Sequence, residues 1–177
     1  SKDNTIKIAK SFGCEIHYCN GKLGAARNML MELAKTEWFA FIDSDVVVNM
    51  EWWNKLTNNI DEKTGAINGF GLPDSFWLSN FRKVMLLTKL KFGIKQRGFT
   101  SNTLIRKKAW DGIKLPDIKR TEDIILQKEI EKRGWEWKMA PAFCLHMKTA
   151  TQILREAKND FFEIAKREGF FKALMRL

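Results

Sequence analysis

The 177-residue sequence is poor in the residues and segments that mark several special classes of protein. Its three cysteines, at positions 14, 19 and 144, are odd in number and show no CxxC spacing, which excludes a complete disulfide framework. No apolar run approaches the ~18 residues that a membrane-spanning helix needs. With 45% hydrophobic and 29% charged residues, the composition is that of a folded domain and not of a disordered chain. Cysteines without a disulfide pattern favour a reducing compartment, so a cytoplasmic location is expected.

Acidic residues are the scarcer charged type, with 21 Asp and Glu against 31 Lys and Arg, and the formal net charge is +10. This balance suits an anionic partner, namely a nucleic acid, a phosphorylated substrate or an acidic membrane face, and it equally suits a solvated basic surface. Charge alone does not choose among these. The sequence carries no RNP, KH, zinc-finger or helix-turn-helix signature, so no nucleic-acid partner is expected.

Helical and strand-like patterns alternate along the chain, as judged from apolar spacing and turn residues. The predicted helices cover residues 3–12, 22–35, 51–60, 78–92, 107–111, 121–133 and 149 onward. The predicted strands cover residues 15–19, 38–43, 65–70, 99–105, 135–139 and 142–147. The alternation predicts an α/β fold with a mostly parallel sheet flanked by helices, and such sheets bind ligands at the carboxyl ends of their strands.

Two acidic residues directly follow an apolar predicted strand, in the segment Phe39-Ala40-Phe41-Ile42-Asp43-Ser44-Asp45. Alternate residues of an extended chain share a face, so the carboxylates of Asp43 and Asp45 can project to the same side. Hard oxygen ligands at this place suit Mg²⁺ or Mn²⁺, which in turn hold a diphosphate. The alternative is an Asp-rich turn that caps the helix predicted at 51–60.

Asp43-Ser44-Asp45 resembles the DxD signature of glycosyltransferases with the GT-A fold, especially the large inverting family 2. Three further segments support the resemblance in the order usual for that family. They are Gly24-Ala25-Ala26-Arg27-Asn28, similar to G-x-A-R-N, Arg120-Thr121-Glu122-Asp123, similar to the ED motif, and Pro141–His146, similar to P-x-x-x-x-H. The resemblance implies a GT-A fold and an enzyme that transfers a sugar from a nucleotide-diphosphate sugar to an acceptor hydroxyl.

The resemblance also implies roles for individual residues. Asp45, Asp43 and His146 are the implied ligands of Mn²⁺ or Mg²⁺, while Arg27, Asn28 and Asp43 are implied to contact the nucleotide. Asp123, with Glu122 beside it, is the implied general base that removes the acceptor proton. Each residue also has a structural alternative. Glu122 and Asp123 are acids that suit the first turn of a helix. His146 could be a structural histidine, and Arg27 could be an ordinary surface arginine.

The acceptor side is assigned by resemblance to residues 98–106, where Asn102 and Arg106 are expected to face the cleft. The implied acceptor is a saccharide or a lipid-linked molecule. Residues 82–97 carry six basic residues and no acid, interleaved with apolar side chains. Such a basic amphipathic stretch predicts peripheral contact with an anionic membrane, at the inner face if the protein is cytoplasmic. The alternative is a helix that packs on the core with a solvated face.

The resemblance is incomplete at the amino-terminal end. Residues 1–5 resemble only the tail of the family's acidic D-D-G-S loop, so the first two strands of the GT-A sheet are expected to be lacking from this chain. We therefore expect weak or no transferase activity from the chain alone. The predicted organisation is a partial GT-A catalytic domain over residues 1–148 and a helical extension over 149–177. A degenerate, non-catalytic scaffold and a basic binding module are the competing hypotheses.

Overall fold

The computed structural model describes the backbone of residues 3–176, and among these the side chains of residues 150 and 174–176 are not described. Ser1 and Lys2 of the segment that resembles the acidic loop, and Leu177 of the predicted helical extension, lie outside the described residues. The helices are α1 (Thr5–Ser11), α2 (Leu23–Leu33), α3 (Met50–Thr57), α4 (Phe76–Lys91), α5 (Lys107–Trp110), α6 (Glu122–Lys132), α7 (Ala150–Glu168) and α8 (Phe170–Arg176). The strands are β1 (Trp38–Ile42), β2 (Val46–Val47), β3 (Thr64–Pro73), β4 (Asn102–Arg106) and β5 (Glu136–His146).

The five strands form one mixed sheet in the order β1-β4-β3-β5-β2. The neighbours β3 and β5 run parallel, and the other three neighbouring pairs are antiparallel. Because β4 lies between β1 and β3 and is antiparallel to both, the strands β1, β3 and β5 share one direction. The expected parallel character therefore holds for strand direction, while most hydrogen-bonded pairs are antiparallel.

Two apolar clusters, one including Trp110 and the other Trp52, fix the helices to the sheet. Trp110, Ile105 and Leu126 join α5 and α6 to the strands in the first cluster. Trp52 and Leu56 anchor α3 in the second, and the Asn49 side chain caps this helix by accepting a hydrogen bond from the Trp52 amide at 2.8 Å. The core thus holds rigid those strands whose ends carry the acidic residues.

Three element predictions differ from the structure. Residues 15–19 are not a strand, because no strand of the described chain lies beside them and Tyr18 is 75% exposed. The strands predicted at 135–139 and 142–147 are one continuous β5, in which Pro141 lies at a register shift. The two-residue strand β2 was not predicted.

The carboxy-terminal segment is helical as expected, and it is divided at Gly169, whose φ of 90° ends α7.

Candidate functional site

Asp43 lies where β1 ends. Its amide donates a hydrogen bond to the carbonyl of Ser101 at 2.9 Å, which ties it to the chain that enters β4. Its carbonyl accepts from the amide of Val46 at 3.0 Å, closing a tight turn around Ser44 and Asp45. The acidic segment is therefore a turn between two strands, and it does not cap α3, whose cap is Asn49.

The short strand β2 brings Asp45 to His146. Val46 pairs with His146 across the β2–β5 ladder, and the amide of Met147 donates to the carbonyl of Asp45 at 2.8 Å. As a result the Asp45 carboxylate lies 3.3 Å from Nε2 of His146 and 3.5 Å from Nζ of Lys148. Two residues that are far apart in sequence meet because both flank the same pair of strands.

The imidazole of His146 is partly buried and packs against a glycine. A Cβ atom at Gly71 would lie only 2.9 Å from Nδ1 of His146, so the ring packs directly on the bare backbone of β3. Its Nε2 atom is buried and has no partner with hydrogen-bond geometry, although it faces Asp45. Burial lowers the pKa of His146, and the Lys148 ammonium lowers it further, which favours the neutral imidazole that binds metals.

Asp43 is held by Arg27, a buried residue of α2. An Arg27 Nη2 atom donates to Oδ1 of Asp43 at 2.6 Å and to the hydroxyl of Thr100 at 3.3 Å. The Thr100 hydroxyl in turn donates to Oε1 of Glu122 at 2.9 Å. The guanidinium also stacks 4.4 Å from the centre of the Phe41 ring. A buried chain of contacts therefore connects the DxD turn with the ED segment.

Helix α2 is positioned so that Arg27 can reach this chain. A Cβ atom at Gly24 would lie 2.0 Å from the carbonyl oxygen of Pro116, so the helix start can approach this loop only as glycine. One turn later, the Asn28 side chain donates to the carbonyl of Leu115 at 2.9 Å and accepts from its amide at 3.0 Å. Asn28 thus fastens the helix to the loop through one donor and one acceptor of its side-chain amide.

Helix α6 begins at a strained residue. Thr121 has φ 63° and ψ 18°, a left-handed conformation that is unfavourable for a β-branched side chain, and it makes no capping hydrogen bond. This conformation turns Glu122 and Asp123 inward, where both are buried. Burial and the neighbouring Asp123 raise the pKa of Glu122. The two acids are therefore not a solvated first helical turn.

Asp123 forms a buried ion pair with Arg97. The Nη2 atom of Arg97 lies 3.0 Å from each carboxylate oxygen, Nε lies 3.2 Å from Oδ2, and the amide of Ile124 donates to Oδ1 at 2.8 Å. Burial raises the pKa of Asp123, and the Arg97 guanidinium opposes this rise. The remaining nitrogen of Arg97, Nη1, lies 2.8 Å from Oδ2 of Asp160 on α7.

Asp43, Asp123 and His146 line one cleft of about 810 Å³, whereas Asp45 is not among its lining residues and adjoins it through His146 and Lys148. The floor of the cleft is the sheet, and its walls include α4, α6 and α7. The acidic and basic side chains that line it include Asp43, Arg82, Arg97, Glu122, Asp123, His146, Lys148, Glu156 and Asp160. The turn that carries Asp43 and the helix that carries Asp123 therefore open into the same space.

The two residues expected on the acceptor side lie at opposite ends of β4. Asn102 is buried, lines the cleft and pairs with Ile42, next to Asp43. Arg106 pairs with Trp38 at the other end of β1, where its guanidinium lies between the Trp38 and Trp135 rings at 4.8 and 5.3 Å. It also donates to the backbone carbonyl of Glu62 at 2.8 Å. Placing Arg106 in the cleft was therefore wrong, and its observed role is to hold loop and rings together.

The three expected metal ligands do not form one cluster. Within the described part of the chain, no group of three His, Cys, Asp or Glu side chains has the arrangement to hold a metal ion. Asp45 and His146 meet, whereas Asp43 is paired with Arg27. The protein thus offers one carboxylate and one imidazole, and Asp43 is separated from them by its ion pair.

Sequence patterns did not reveal three of the residues that build the site. Arg97, Thr100 and Lys148 each contact one of the predicted acids, at 3.0, 2.9 and 3.5 Å. Arg97 is the last residue of the basic stretch and Lys148 lies two residues after the closing histidine, so only the fold identifies their partners. Over residues 3–176, no helix is long and apolar enough to cross a membrane.

Comparisons with known proteins agree with this architecture. Among solved structures, glucosyl-3-phosphoglycerate synthase from Mycobacterium tuberculosis, in complex with Mn²⁺, UDP-glucose and phosphoglyceric acid, superposes with a TM-score of 0.62 at 12% identity. A mannosyltransferase from Pyrobaculum calidifontis, in complex with GDP-mannose and Mn²⁺, gives 0.68 at 16% identity. The matches cover 100% and 98% of this chain but 66% and 52% of those proteins.

No curated protein matches the sequence. At such low identity the structural likeness shows the GT-A fold and no more. The family itself is shown by the sequence, because residues 1–114 match the family described as glycosyl transferase family 2. This match covers more than half of the chain and contains the DxD turn and the helix that carries Arg27. The chain belongs to glycosyl transferase family 2.

Proposed function

We propose that this chain supplies the metal-binding and acceptor side of a transferase that moves a sugar from a nucleotide-diphosphate sugar to a hydroxyl group, with inversion at the anomeric carbon. The observation that carries the proposal is the single cleft lined by Asp43, Asp123 and His146. The lining includes His146, which contacts the Asp45 carboxylate, and Asp123, a carboxylate suited to accept a proton. We propose further that residues 1–148 are catalytic and 149–177 an extension.

Asp45 and His146 fit a divalent cation such as Mn²⁺ or Mg²⁺. The orphaned Nε2 atom of His146 faces the Asp45 carboxylate at 3.3 Å, and neutral imidazole and carboxylate are both ligands for such ions. Asp45 and His146 would hold the cation, and its presence would supply charge neutralisation for the departing nucleoside diphosphate. Asp43 is assigned to the donor, together with Arg27, which orients it.

Asp123 is the proposed general base, and its surroundings set a condition for that role. Both of its oxygens accept hydrogen bonds from Arg97 or from the Ile124 amide, so their lone pairs are occupied. Asp123 can accept the proton of an acceptor hydroxyl when Arg97 moves away from its carboxylate. Glu122 stays bound to Thr100 and acts by positioning the start of α6.

The donor is proposed to be a uridine or guanosine diphosphate sugar, because the structurally similar transferases were solved with UDP-glucose and GDP-mannose. The acceptor is proposed to be a saccharide or a lipid-linked molecule in the cytoplasm. Titration calorimetry of the chain with UDP and GDP, each with and without Mn²⁺, tests the proposal. Binding of one nucleotide that requires Mn²⁺ is expected. If neither nucleotide binds in the presence of Mn²⁺, a scaffold role replaces the transferase role.

We also propose that α4 rests on an anionic membrane surface. Trp77, Phe81 and Val84 follow helical spacing and are 82%, 69% and 65% exposed. Residues 75–98 include six lysines and arginines and no acid, so the charge around this apolar stripe is complementary to anionic lipid. Trp and Phe beside lysines are typical of helices that lie in the lipid interface.

Co-sedimentation with vesicles tests this contact. The chain is expected to bind vesicles that contain phosphatidylserine and not pure phosphatidylcholine vesicles, and Trp77→Ser with Phe81→Ser is expected to weaken binding at least tenfold. Phe12→Ser is the matched control, because Phe12 is 82% exposed on a different helix end. Equal binding by the double variant and the control would refute the membrane contact, as would lipid-independent self-association through α4.

A further inference from the structure

Two cations of the site are each shared between an acid of the cleft and an acid of α7. Lys148 lies 3.5 Å from Asp45 and 2.9 Å from Glu156. Arg97 lies 3.0 Å from Asp123 and 2.8 Å from Asp160. Glu156 and Asp160 are four residues apart and so lie on one face of α7. One face of this helix therefore competes with both acidic motifs for their positive partners.

A second cavity of about 480 Å³ lies where these pairs meet. Four cationic side chains line it, namely Arg97, Lys119, Arg120 and Lys148, and α7 contributes Glu156 and Asp160 to the same wall. Arg120 is drawn to Asp160 as well, at 3.3 Å. Arginine forks and lysine ammonium groups are the side chains that bind phosphate in proteins. In the structure the two α7 carboxylates take the place that an anionic ligand would occupy.

The amino-terminal half of α7 is held mainly by these ion pairs. No side chain described between residues 151 and 163 is buried, whereas Ile164 is fully buried against Ile124 and Ala173. The helix is thus anchored by apolar packing near its carboxyl end and by exchangeable charges near its start. Segments with few buried apolar contacts open at low cost in free energy.

We infer that this cavity is a binding site for the phosphate group of the acceptor, and that the phosphate displaces Glu156 and Asp160 of α7 when it binds. A phosphate monoester carries nearly two negative charges and several acceptor oxygens, so one group replaces both carboxylates. The inference rests on the proposed function and names its acceptor class. Once Asp160 is displaced, Arg97 is free to turn from Asp123 toward the phosphate, which exposes the base.

Titration with inorganic phosphate, without nucleotide or divalent cation, tests the site separately from the transferase proposal. The matched variants are Glu156→Gln with Asp160→Asn, and Glu163→Gln as a charge control at an exposed position of the same helix. Removing the two competing carboxylates is expected to tighten phosphate binding about tenfold, while the control leaves it within about twofold. Lys119→Gln with Arg120→Gln is expected to abolish binding. Equal affinity in the double-carboxylate variant and the control would overturn the inference.

Hydrogen exchange on the parent chain tests the displacement without any substitution, so misfolding of a variant cannot affect the result. Phosphate is expected to accelerate amide exchange in residues 150–160 and to leave residues 164–168 unchanged, and slower or unchanged exchange at the helix start would overturn the displacement. Glycerol 3-phosphate and vesicles of phosphatidic acid, titrated in parallel, distinguish a soluble acceptor from a lipid headgroup. The phosphate experiments contain neither nucleotide nor Mn²⁺. Their outcome is therefore independent of whether the chain shows Mn²⁺-dependent nucleotide binding.

Discussion

The Asp45 carboxylate lies 3.3 Å from Nε2 of His146, and that nitrogen is buried without a hydrogen-bond partner of its own. An orphaned polar atom in the interior costs free energy unless a ligand satisfies it. The relationship depends on β2, which places the residue before Val46 beside the end of β5. The metal hypothesis therefore depends on a strand of only two residues.

Gly71→Ala is expected to weaken Mn²⁺ binding although it changes no ligand. The added methyl group would lie 2.9 Å from Nδ1 and 3.2 Å from Cβ of His146, so the imidazole must move away from Asp45. Shifts of this kind around a ligand cost about 10- to 100-fold in metal affinity. Mn²⁺ titration followed by electron paramagnetic resonance measures the effect. Unchanged affinity in a folded Gly71→Ala protein would show that His146 does not bind the ion.

Arg27→Met is expected to destabilise the fold by about 1–3 kcal/mol, because it leaves the buried Thr100 and Glu122 groups without their cationic neighbour. Arg27 is 5% exposed and contacts both acidic motifs through Asp43 and Thr100. Urea unfolding measures the change. Lys7→Met, at an exposed position of α1, is the control and is expected to stay within about 0.5 kcal/mol of the parent. Equal stability of the two variants would contradict the buried chain of contacts.

Glu122→Gln is expected to flatten the dependence of stability on pH. Burial and Asp123 raise the pKa of Glu122 in the folded state above its ordinary value of 4.5. The stability linked to this group is therefore complete below pH 4.5 and is lost as the pH rises through the raised folded-state pKa. Unfolding free energies measured from pH 4 to 8 check this. Glu62→Gln, at an exposed site, serves as control, and identical profiles for both variants would be the contrary result.

Arg97→Gln is expected to raise the pKa of Asp123 further, because the guanidinium that opposes the effect of burial is removed. If Asp123 is the base, the acidic limb of the pH profile of kcat/KM, measured on the weak activity expected of the chain, moves to higher pH, because the carboxylate then ionises at a higher pH. Lys95→Gln is the control, because Lys95 is an exposed cation nearby that pairs with Glu131. A profile that falls in height at every pH without shifting would assign Arg97 a purely structural role.

The parts of the site that could be predicted from the sequence are those that belong to short, continuous sequence motifs. The strand before Asp43, the inward acids Glu122 and Asp123 and the closing His146 each belong to a local pattern, and the structure brings them to one cleft. What was missed depends on contacts between distant segments. No local signal tells that Arg97 will meet Asp160, or that Arg106, four residues along a strand from Asn102, lies outside the cleft.

The fold was predictable to a similar extent, because individual helices could be identified from the sequence and the order of the strands could not. Apolar spacing identified α2, because an amphipathic helix shows its buried face in sequence. The helices predicted at 78–92 and 121–133 are present as α4 and α6, although α6 has no side-chain cap. The position of β4 between β1 and β3 was not predictable, since strand order depends on tertiary pairing. Pro141 indicated a break within β5, yet the strand continues through a shift in register there. Ile16 and Tyr18 alternate as in a strand, but alternation is not enough without a neighbouring strand.

The most direct test of the central claim is a Mn²⁺ titration of the chain in the presence of UDP or GDP, followed by electron paramagnetic resonance, for the parent, Asp45→Asn and His146→Ala proteins. The account predicts one bound ion per chain in the parent and at least tenfold weaker binding in each variant, while Asp111→Asn, an exposed aspartate away from the cleft, behaves as the parent. Parent-like affinity in both Asp45→Asn and His146→Ala would contradict it.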